Sequence, residues 1–424
     1  MSLKAEDKAK APEHFTDLKT QEPPKNSAGF GAIKSSIGHA SKYMNASDAL
    51  KLSLKINQKG GFDCPGCAWP DPDDERSSLG EYCENGIKAI AEEAQNKTIG
   101  TAFFEKHSVD ELSKWTDFEI GKSGRLSVPM FLAKGASYYK TISWDAAFEK
   151  VGRHLNALDN PDEAVFYTSG RTTNEAAFLY QLFVREYGTA NLPDCSNMCH
   201  EASGAALSET LGIGKGSVTL DDLYKAEVVM VIGQNPATNH PRMLTALEKC
   251  KNNGGKIIAI NPLPEAGLIK FTNPQSPAKL LTGGTKIADV FVPISINGDV
   301  AFIKALLLKL LEKEEQEGNV FDKEFIKEFT SDYELFIDDL KKYNFDDCLK
   351  QSGVSKSVFD DTFNLILNNN KIIICWAMGL TQHENAVDNI RELVNLLLLK
   401  GSIGKEGAGT CPVRGHSNVQ GDRT

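Results

Sequence analysis

The feature that most constrains the fold is an alternation of apolar strands and amphipathic helices between residues 228 and 400. Short apolar runs bounded by Gly, Pro or Asn predict strands at 228–232, 256–260, 288–294 and 371–377. Helical periodicity predicts helices at 242–250, 299–311 and 383–400, and an acidic helical insertion at 312–349. Because strands that alternate with helices form βαβ units, we predict an α/β fold with a doubly wound, mostly parallel sheet.

Small or polar residues follow three of these strands, at Gly233, Asn261 and Gly379. The carboxyl ends of parallel strands open onto one crevice, where doubly wound folds bind nucleotides. The loop at 233–241 ends in a proline suited to the first turn of a helix, whose backbone N–H groups can bind a phosphate. The loop matches neither a Walker A motif nor G-x-G-x-x-G, so an ordinary βα turn is the simpler interpretation of this loop alone.

The first half of the chain gives weaker signals. Residues 1–60 are polar and punctuated by Pro and Gly, which predicts an extended arm with little regular structure. Further along, the apolar spacing predicts an amphipathic helix packed on a core at 143–155, a buried strand at 164–168, and helices at 173–187 and 202–211.

Cys199 and His200 stand side by side just before the last of these helices. The positive end of a helix favours a thiolate, which can act as a nucleophile or as a soft metal ligand. An adjacent imidazole can accept a proton near neutral pH. Taken alone, such a dipeptide is more often a buried structural cysteine beside a partly exposed histidine.

Three further thiols, Cys64, Cys67 and Cys83, lie within twenty residues of one another. A Cys-x-x-Cys pair can hold one metal ion or one edge of an iron–sulfur cluster. Structural zinc needs a fourth ligand, for which Asp71 and His107 are candidates, whereas a cluster tolerates a non-thiolate donor at one corner. Spacing leaves zinc and iron–sulfur evenly matched, with three unrelated thiols the least favoured interpretation.

Charge and cysteine usage limit the partners. The chain has 47 Lys and Arg against 57 Asp and Glu, and its net charge of −10 argues against a broad nucleic-acid-binding surface. Its apolar runs are too short to span a bilayer and its first residues lack the apolar core of a secretion signal, so we expect a cytoplasmic protein. In that compartment the nine cysteines are expected to be free, metal-bound or catalytic rather than disulfide-bonded.

Taken together, the motifs resemble those of the molybdopterin oxidoreductase superfamily, and within it the formate-dehydrogenase-alpha-like branch of the YdeP type. These motifs are Cys-x-x-Cys…Cys, Cys-His, Gly-x-Asn-Pro after a strand, and Pro-Val-Arg-Gly-x-x-Asn-Val-Gln-Gly at 412–421. The resemblance extends from about residue 61 to residue 424. It implies formate dehydrogenase/DMSO reductase-like α/β domains, a small N-terminal iron–sulfur domain, and two-electron oxidation of formate or a similar small anionic substrate.

The resemblance also implies a molybdenum or tungsten bis(molybdopterin guanine dinucleotide) cofactor. Cys199 would then ligate the metal, His200 would accept the substrate's proton, and Arg414 would hold the anion. Electrons would leave through an iron–sulfur cluster, expected to be 4Fe–4S, at Cys64, Cys67 and Cys83, toward an acceptor that the sequence does not name. The positions implied to hold the guanosine and diphosphate parts are Gly233, Asn235, Pro236, His240, Asn261, Gly379 and Gln382.

Two positions depart from the family pattern. The third cluster cysteine would fall at Asp71, which implies a carboxylate-ligated iron, a missing iron or no cluster at all. The lysine often placed between cluster and cofactor is replaced by Asn85, with Lys88 as the nearest substitute.

The implied domains are an arm at 1–60, a cluster domain and connection at 61–140, the first half of an α/β domain at 141–194, a nucleotide-binding-like α/β domain at 195–413, and the start of a return at 414–424. We therefore expect the N-terminal portion of a longer enzyme, a fragment that is unstable or inactive alone. Two alternatives stay open: an oxidoreductase of the same fold for another small substrate, and a non-catalytic zinc- or cluster-binding module.

Overall fold

The computed structural model describes residues 22–73, 76–77 and 80–421, and the chain divides into two compact units. Among the described residues, the first unit combines 22–23, 94–165 and 184–191, and the second combines 24–73, 76–77, 80–93, 166–183 and 192–421. The chain passes between the units at five places, one of which falls within the helix Asn174–Tyr187.

A five-stranded parallel sheet forms the centre of the second unit. Its strands in chain order are β1 (Val228–Ile232), β2 (Lys256–Ile260), β3 (Val290–Val292), β4 (Ile372–Trp376) and β5 (Gly409–Pro412). The spatial order is β3-β2-β1-β4-β5, and every neighbouring pair is parallel. The chain therefore adds strands outward from β1 to β3 and then restarts on the other side of β1 with β4. This topology confirms the predicted doubly wound α/β fold and puts its switch point between β1 and β4.

The central strands are apolar throughout because helices cover both faces of the sheet. Side chains alternate across β1, so that Met230 packs with one core cluster and Val229 and Val231 with the other. The helices of the second unit are Gly29–Tyr43, Ala46–Ser53, Glu84–Glu93, Cys195–Cys199, Glu201–Leu211, Leu220–Lys225, Pro236–Asn239, Pro241–Asn252, Ala266–Ile269, Pro277–Thr282, Asp299–Glu317, Lys323–Phe329, Tyr333–Leu340, Phe345–Ser352, Lys356–Leu367, Met378–Thr381 and Ala386–Leu399. A small second sheet joins Ser27–Ala28, Lys270–Thr272 and Thr285–Lys286. None of the helices that the structure describes in either unit has the length and apolar content needed to cross a bilayer.

The first unit contains short helices and two strand pairs. Its helices are Thr101–Lys106, Val109–Leu112, Asp117–Ser123 and Trp144–Asn156, with a 3-10 turn at Pro161–Glu163. Thr98–Ile99 pairs in parallel with Arg125–Leu126, and Met130–Phe131 pairs antiparallel with Lys140–Thr141.

Two expectations for the first half of the chain are wrong in part. The helix Trp144–Asn156 forms, but Trp144 and Phe148 are 63% and 64% exposed, so it does not bury them against a core. The strand expected at 164–168 is reduced to one bridge between Thr168 and Asp194, and Val165 is exposed. The periodicity correctly indicated a helix and an apolar run. Burial of the helix and pairing of a strand each depend on a neighbouring element, which the local sequence does not reveal.

The expected extended arm is also partly wrong, because Gly29–Tyr43 and Ala46–Ser53 are helical. Pro and Gly lie mostly before or in the first turn of the longer helix, where they do not interrupt it. Asn45 caps the second helix by accepting a hydrogen bond from the Asp48 amide at 2.9 Å. The part of the arm at 1–21 lies outside the described residues.

The ends of β1 and β4 approach each other through two glycines. Gly233 has a φ of +60°, and its carbonyl accepts a hydrogen bond from the Gly379 amide at 3.1 Å. A Cβ on Gly379 would lie 2.6 Å from the Gly233 Cα. The two loops at the switch point can therefore touch only because neither residue carries a side chain.

We expect Gly379→Ala to lower the free energy of unfolding by about 1–3 kcal/mol, because the new methyl group meets backbone that has no flexible side chain to displace. Chemical denaturation would measure this. The matched control is Gly38→Ala, which meets no atom within 4 Å and lies inside the helix Gly29–Tyr43. Equal destabilisation by the two substitutions would contradict the role given to the glycine contact.

Candidate functional site

A cavity of about 260 Å³ opens at the switch point of the sheet. Four of the residues predicted to hold a cofactor line it, namely Gly233, Asn261, Gly379 and Gln382. The sequence predicted this convergence because the carboxyl ends of parallel strands share one edge of a sheet, and the structure brings the three strand ends together. This is the place where open α/β sheets bind ligands.

A second cavity of about 310 Å³ lies beside Cys199. Its wall includes Met198 and Cys199, and it shares Gln382 and His383 with the cavity at the switch point. The two cavities therefore adjoin, which gives an elongated space from the sheet edge to the Cys199 thiol.

The Cys199 turn is fixed from both sides. Its short helix, Cys195–Cys199, is capped by Asp194, whose carboxylate accepts from the Ser196 amide at 2.6 Å. From the crevice side, Thr381 Oγ1 donates to the Cys199 carbonyl at 2.8 Å, and Gln382 Nε2 donates to the same oxygen at 3.2 Å. The Gln382 amide nitrogen is thus hydrogen-bonded to the protein backbone, and the same residue lines both cavities.

Burial, a backbone N–H group and a positive charge all act on the Cys199 thiol. Cys199 ends one short helix and directly precedes His200, the N-cap of the helix Glu201–Leu211. Burial raises the pKa of its thiol, while the Gly415 backbone N–H and the positive charge of Arg414 pull that pKa down. Stabilisation of the thiolate by the helix Glu201–Leu211 stays a prediction, and the charge of Arg414 acts in the same direction.

His200 is fully buried and bonded at both ring nitrogens. Nε2 lies 3.0 Å from the Val413 carbonyl, which only accepts, so Nε2 carries the proton. Nδ1 lies 3.0 Å from Ser203 Oγ, and that oxygen accepts from Trp376 Nε1 at 2.9 Å, so the Ser203 hydroxyl donates to Nδ1. Burial first, then the charge of Arg414, lowers the pKa of His200 to about 3. The imidazole is therefore neutral at physiological pH.

Arg414 is held close to Cys199 by its backbone. His240 Nε2 donates to the Arg414 carbonyl at 2.6 Å, and Arg414 Nη2 donates to the Gly214 carbonyl at 3.3 Å. Both residues are buried, and burial lowers the pKa of His240. The predicted contact of His240 with a cofactor stays a prediction, and in this structure its ring positions the backbone of Arg414.

The remaining predicted residues stabilise the segments that follow β1 and β2. Asn235 Nδ2 donates to Glu265 at 2.7 Å, Asn261 Nδ2 donates to the Gln234 carbonyl at 3.0 Å, and Pro236 begins the helix Pro236–Asn239. Sequence reasoning missed Gln234. Its side chain is 4% exposed, and neither amide atom has a hydrogen-bond partner within the described residues. A buried amide without a partner is costly, so this position suits a ligand that completes its hydrogen bonds.

Cys64, Cys67 and Cys83 line one cavity of about 230 Å³ together with Asp71 and Arg242. The structure thus brings together all the cysteines of the predicted cluster site. Burial raises the pKa of Cys64 to about 11, and raises those of Cys67 and Cys83. Within 22–73, 76–77 and 80–421, no three Cys, His, Asp or Glu side chains are spaced to hold a single metal ion. A cavity of this size suits a larger group than one tetrahedral ion, whose ligands would close directly around it.

The other positions named around the cluster site serve local structure. Asn85 Nδ2 donates to the Thr238 carbonyl at 2.6 Å, and Lys88 is paired with Glu84 at 2.5 Å. His107, a candidate zinc ligand, is bonded to Glu111 at 2.6 Å within the first unit. The cation that lines the thiol cavity is Arg242, which the sequence analysis did not identify.

With this geometry in place, the comparison with known families is decisive. The family model for molybdopterin oxidoreductases matches residues 125–423. The chain belongs to this family. The family implies a molybdenum or tungsten pterin cofactor.

The relatives support the expected branch of the molybdopterin oxidoreductases. An uncharacterized oxidoreductase of Mycobacterium tuberculosis is 50% identical over 401 residues, which cover 94% of this chain and 51% of that protein. The protein YdeP of Escherichia coli is 44% identical over 402 residues, covering 93% of this chain and 53% of YdeP. The alpha subunit of an F420-dependent formate dehydrogenase from Methanocaldococcus jannaschii is 31% identical over 303 residues, which cover 71% of this chain and 41% of that subunit. These similarities confirm the formate-dehydrogenase-like, YdeP-type branch, and this chain spans about half the length of these relatives.

A solved structure shows the same fold. Acetylene hydratase from Pelobacter acetylenicus matches with a TM-score of 0.52 and 18% identity, over 65% of this chain and 35% of the other. At this identity the likeness concerns the fold alone.

The residues present fit a pterin cofactor. The glycine contact lets the two loops line a narrow crevice, Gln234 offers unbonded amide atoms, and Cys199 supplies a soft ligand at the far end. The fit rests on these side chains and on the adjoining cavities.

We expect Ser203→Ala to destabilise the protein by about 1–3 kcal/mol, because it leaves both Trp376 Nε1 and His200 Nδ1 buried without a partner. Ser208→Ala, at an exposed position of the same helix, is the matched control and should change the stability little. Denaturant unfolding followed by tryptophan fluorescence measures both. A Ser203 variant as stable as the control would show that the His200–Ser203–Trp376 chain is not formed.

Proposed function

We propose that the chain is the cofactor-binding portion of a molybdopterin-dependent oxidoreductase that oxidises formate or a similar small anion by two electrons. The observation that carries the proposal is that the cavity lined by Cys199 adjoins the crevice at the switch point of the sheet, with the buried Arg414 near enough for its charge to act on that thiol. A soft ligand and a fixed cation at one end of a nucleotide-sized space are what such a reaction needs.

The chain's own residues would divide the work. Cys199 would ligate the metal of a bis(molybdopterin guanine dinucleotide), releasing its thiol proton on binding. When bound, the metal centre supplies a two-electron acceptor. Arg414 would hold the substrate carboxylate, and the loops at Gly233, Asn261 and Gly379 would hold the guanosine and diphosphate parts.

His200 is the proposed proton acceptor, and its surroundings set two requirements. The Nδ1 lone pair is bound to the Ser203 hydroxyl, so that hydroxyl must rotate before Nδ1 can take a proton. The charge of Arg414 also lowers the pKa of His200. A substrate anion on Arg414 would offset that charge, which would raise the pKa of His200 when substrate is bound.

The three thiols are proposed to hold an iron–sulfur cluster that carries electrons onward to an acceptor. The domain plan proposed from the sequence assigns the cluster to residues 61–140. A cytoplasmic location is part of the same proposal, since nine cysteines without a disulfide suit a reducing compartment.

A second candidate is the same chemistry on another small substrate. It is favoured by the complete hydrogen bonding of His200, because a substrate that releases no proton would need no acceptor there. Turnover of formate with a dye acceptor distinguishes the two candidates: formate oxidation supports the first, and a fully loaded protein inert toward formate supports the second.

Metal and pterin analysis of the purified chain tests the proposed function. We expect molybdenum or tungsten, and a fluorescent pterin after acid release. Cys199→Ala should lose most of the metal because it removes the proposed ligand, whereas Cys348→Ala, at a buried thiol on the helix Phe345–Ser352, should retain it. Zinc as the sole metal without pterin would instead indicate a non-catalytic binding module. Unchanged metal content in the Cys199 variant would remove this thiol from the metal site.

A further inference from the structure

We propose that the Asp71 carboxylate is the fourth ligand of the cluster site formed by Cys64, Cys67 and Cys83. The inference rests on the proposed iron–sulfur cluster. It assigns a ligand to the one cluster iron for which the sequence offers no cysteine.

The position of Asp71 is the first observation. Asp71 lines the same cavity as the three thiols and follows Cys67 by four residues. Proline stands on either side of it, at Pro70 and Pro72, and fixes φ at both neighbours. The backbone therefore presents this carboxylate to the cavity with little conformational freedom.

The hydrogen bonding of Asp71 is the second observation. Its Oδ1 accepts from Arg242 Nη1 at 2.7 Å, in a pair whose side chains are 12% and 17% exposed. Its Oδ2 lies 3.7 Å from Arg76 Nη1, which is beyond hydrogen-bond distance. One oxygen thus anchors the carboxylate, and the other, which is ion-paired with Arg76 but not hydrogen-bonded to it, is the one that can bind an iron.

Arg242 makes this arrangement rigid. Its Nη2 donates to Glu81 Oε2 at 2.9 Å, so the guanidinium bridges the carboxylates of Asp71 and Glu81. Arg242 lies in the first turn of the helix Pro241–Asn252, directly after the proline. Its charge also compensates the negative charge that thiolates and a carboxylate bring into a partly buried site.

A carboxylate corner has a chemical consequence. Carboxylate oxygen is a harder donor than thiolate and suits iron less well in this setting. The iron at the Asp71 corner is therefore held less tightly than the three thiolate-bound irons and is the first to be removed by a chelator.

The experiment reconstitutes the full 424-residue chain with iron and sulfide under anaerobic conditions, and compares it with Asp71→Asn and Asp71→Cys. The matched control is Asp63→Asn, at a second carboxylate that lines the same cavity. Iron and sulfide content, Mössbauer spectra, and the rate of iron loss to a chelator are measured for each protein.

We expect about four irons per chain in the unsubstituted protein and the Asp63 variant, with one iron spectroscopically distinct and rapidly lost. Asp71→Asn should hold about three irons, and Asp71→Cys should restore about four with no distinct, rapidly lost iron. Because Asp71→Cys replaces one ligand by another, it stays informative if the Asn variant folds poorly.

Two results would overturn the inference, and they differ in what else they affect. Iron present, with both Asp71 variants spectroscopically identical to the unsubstituted protein, removes Asp71 from the ligand set and leaves the proposed cluster intact. No iron bound by the unsubstituted chain removes the cluster itself, and with it this part of the proposed function.

Discussion

The close approach of β1 and β4 at their carboxyl ends is the constraint on which the rest of the site depends. Gly233 and Gly379 touch there, and the loops that follow them form the walls of the crevice. Because Thr381 and Gln382 follow Gly379 within three residues, the same contact sets where their side chains reach the Cys199 turn. A backbone contact between the segments that follow two strands thus fixes the position of a thiol that lies on neither segment.

A buried chain of hydrogen bonds ties that turn to the sheet from the other side. Trp376 in β4 donates to Ser203, Ser203 donates to His200, and His200 donates to the Val413 carbonyl just beyond β5. Each donor has one acceptor, so the tautomer of His200 is determined by its partners. The arrangement favours rigidity of the Cys199 turn over basicity of its neighbour.

The sequence predicted the sheet well because its central strands are apolar on both faces, and the bounds of β1 and β2 follow from that pattern. It predicted the meeting of Gly233, Asn261 and Gly379 because parallel strand ends share an edge. It failed where the outcome depends on what packs against an element, as for the exposed face of Trp144–Asn156. The roles of His240 and Arg242 were also inaccessible, because both depend on partners more than 160 positions away in the chain. Gln234 carried one signal, a polar residue between a predicted strand and Asn-Pro.

The start of the helix Pro241–Asn252 serves two sites at once. His240 holds the backbone of Arg414 beside Cys199, and Arg242, two residues later, holds Asp71 beside the three thiols. Pro241 between them has a fixed φ, so residues 240–242 hold groups of both sites with little conformational freedom. A shift of residues 240–242 would therefore displace Arg414 and Asp71 together. The alignment of the two sites in the second unit is therefore set by three consecutive residues. Greater mobility of these residues would reduce the positional order of both sites.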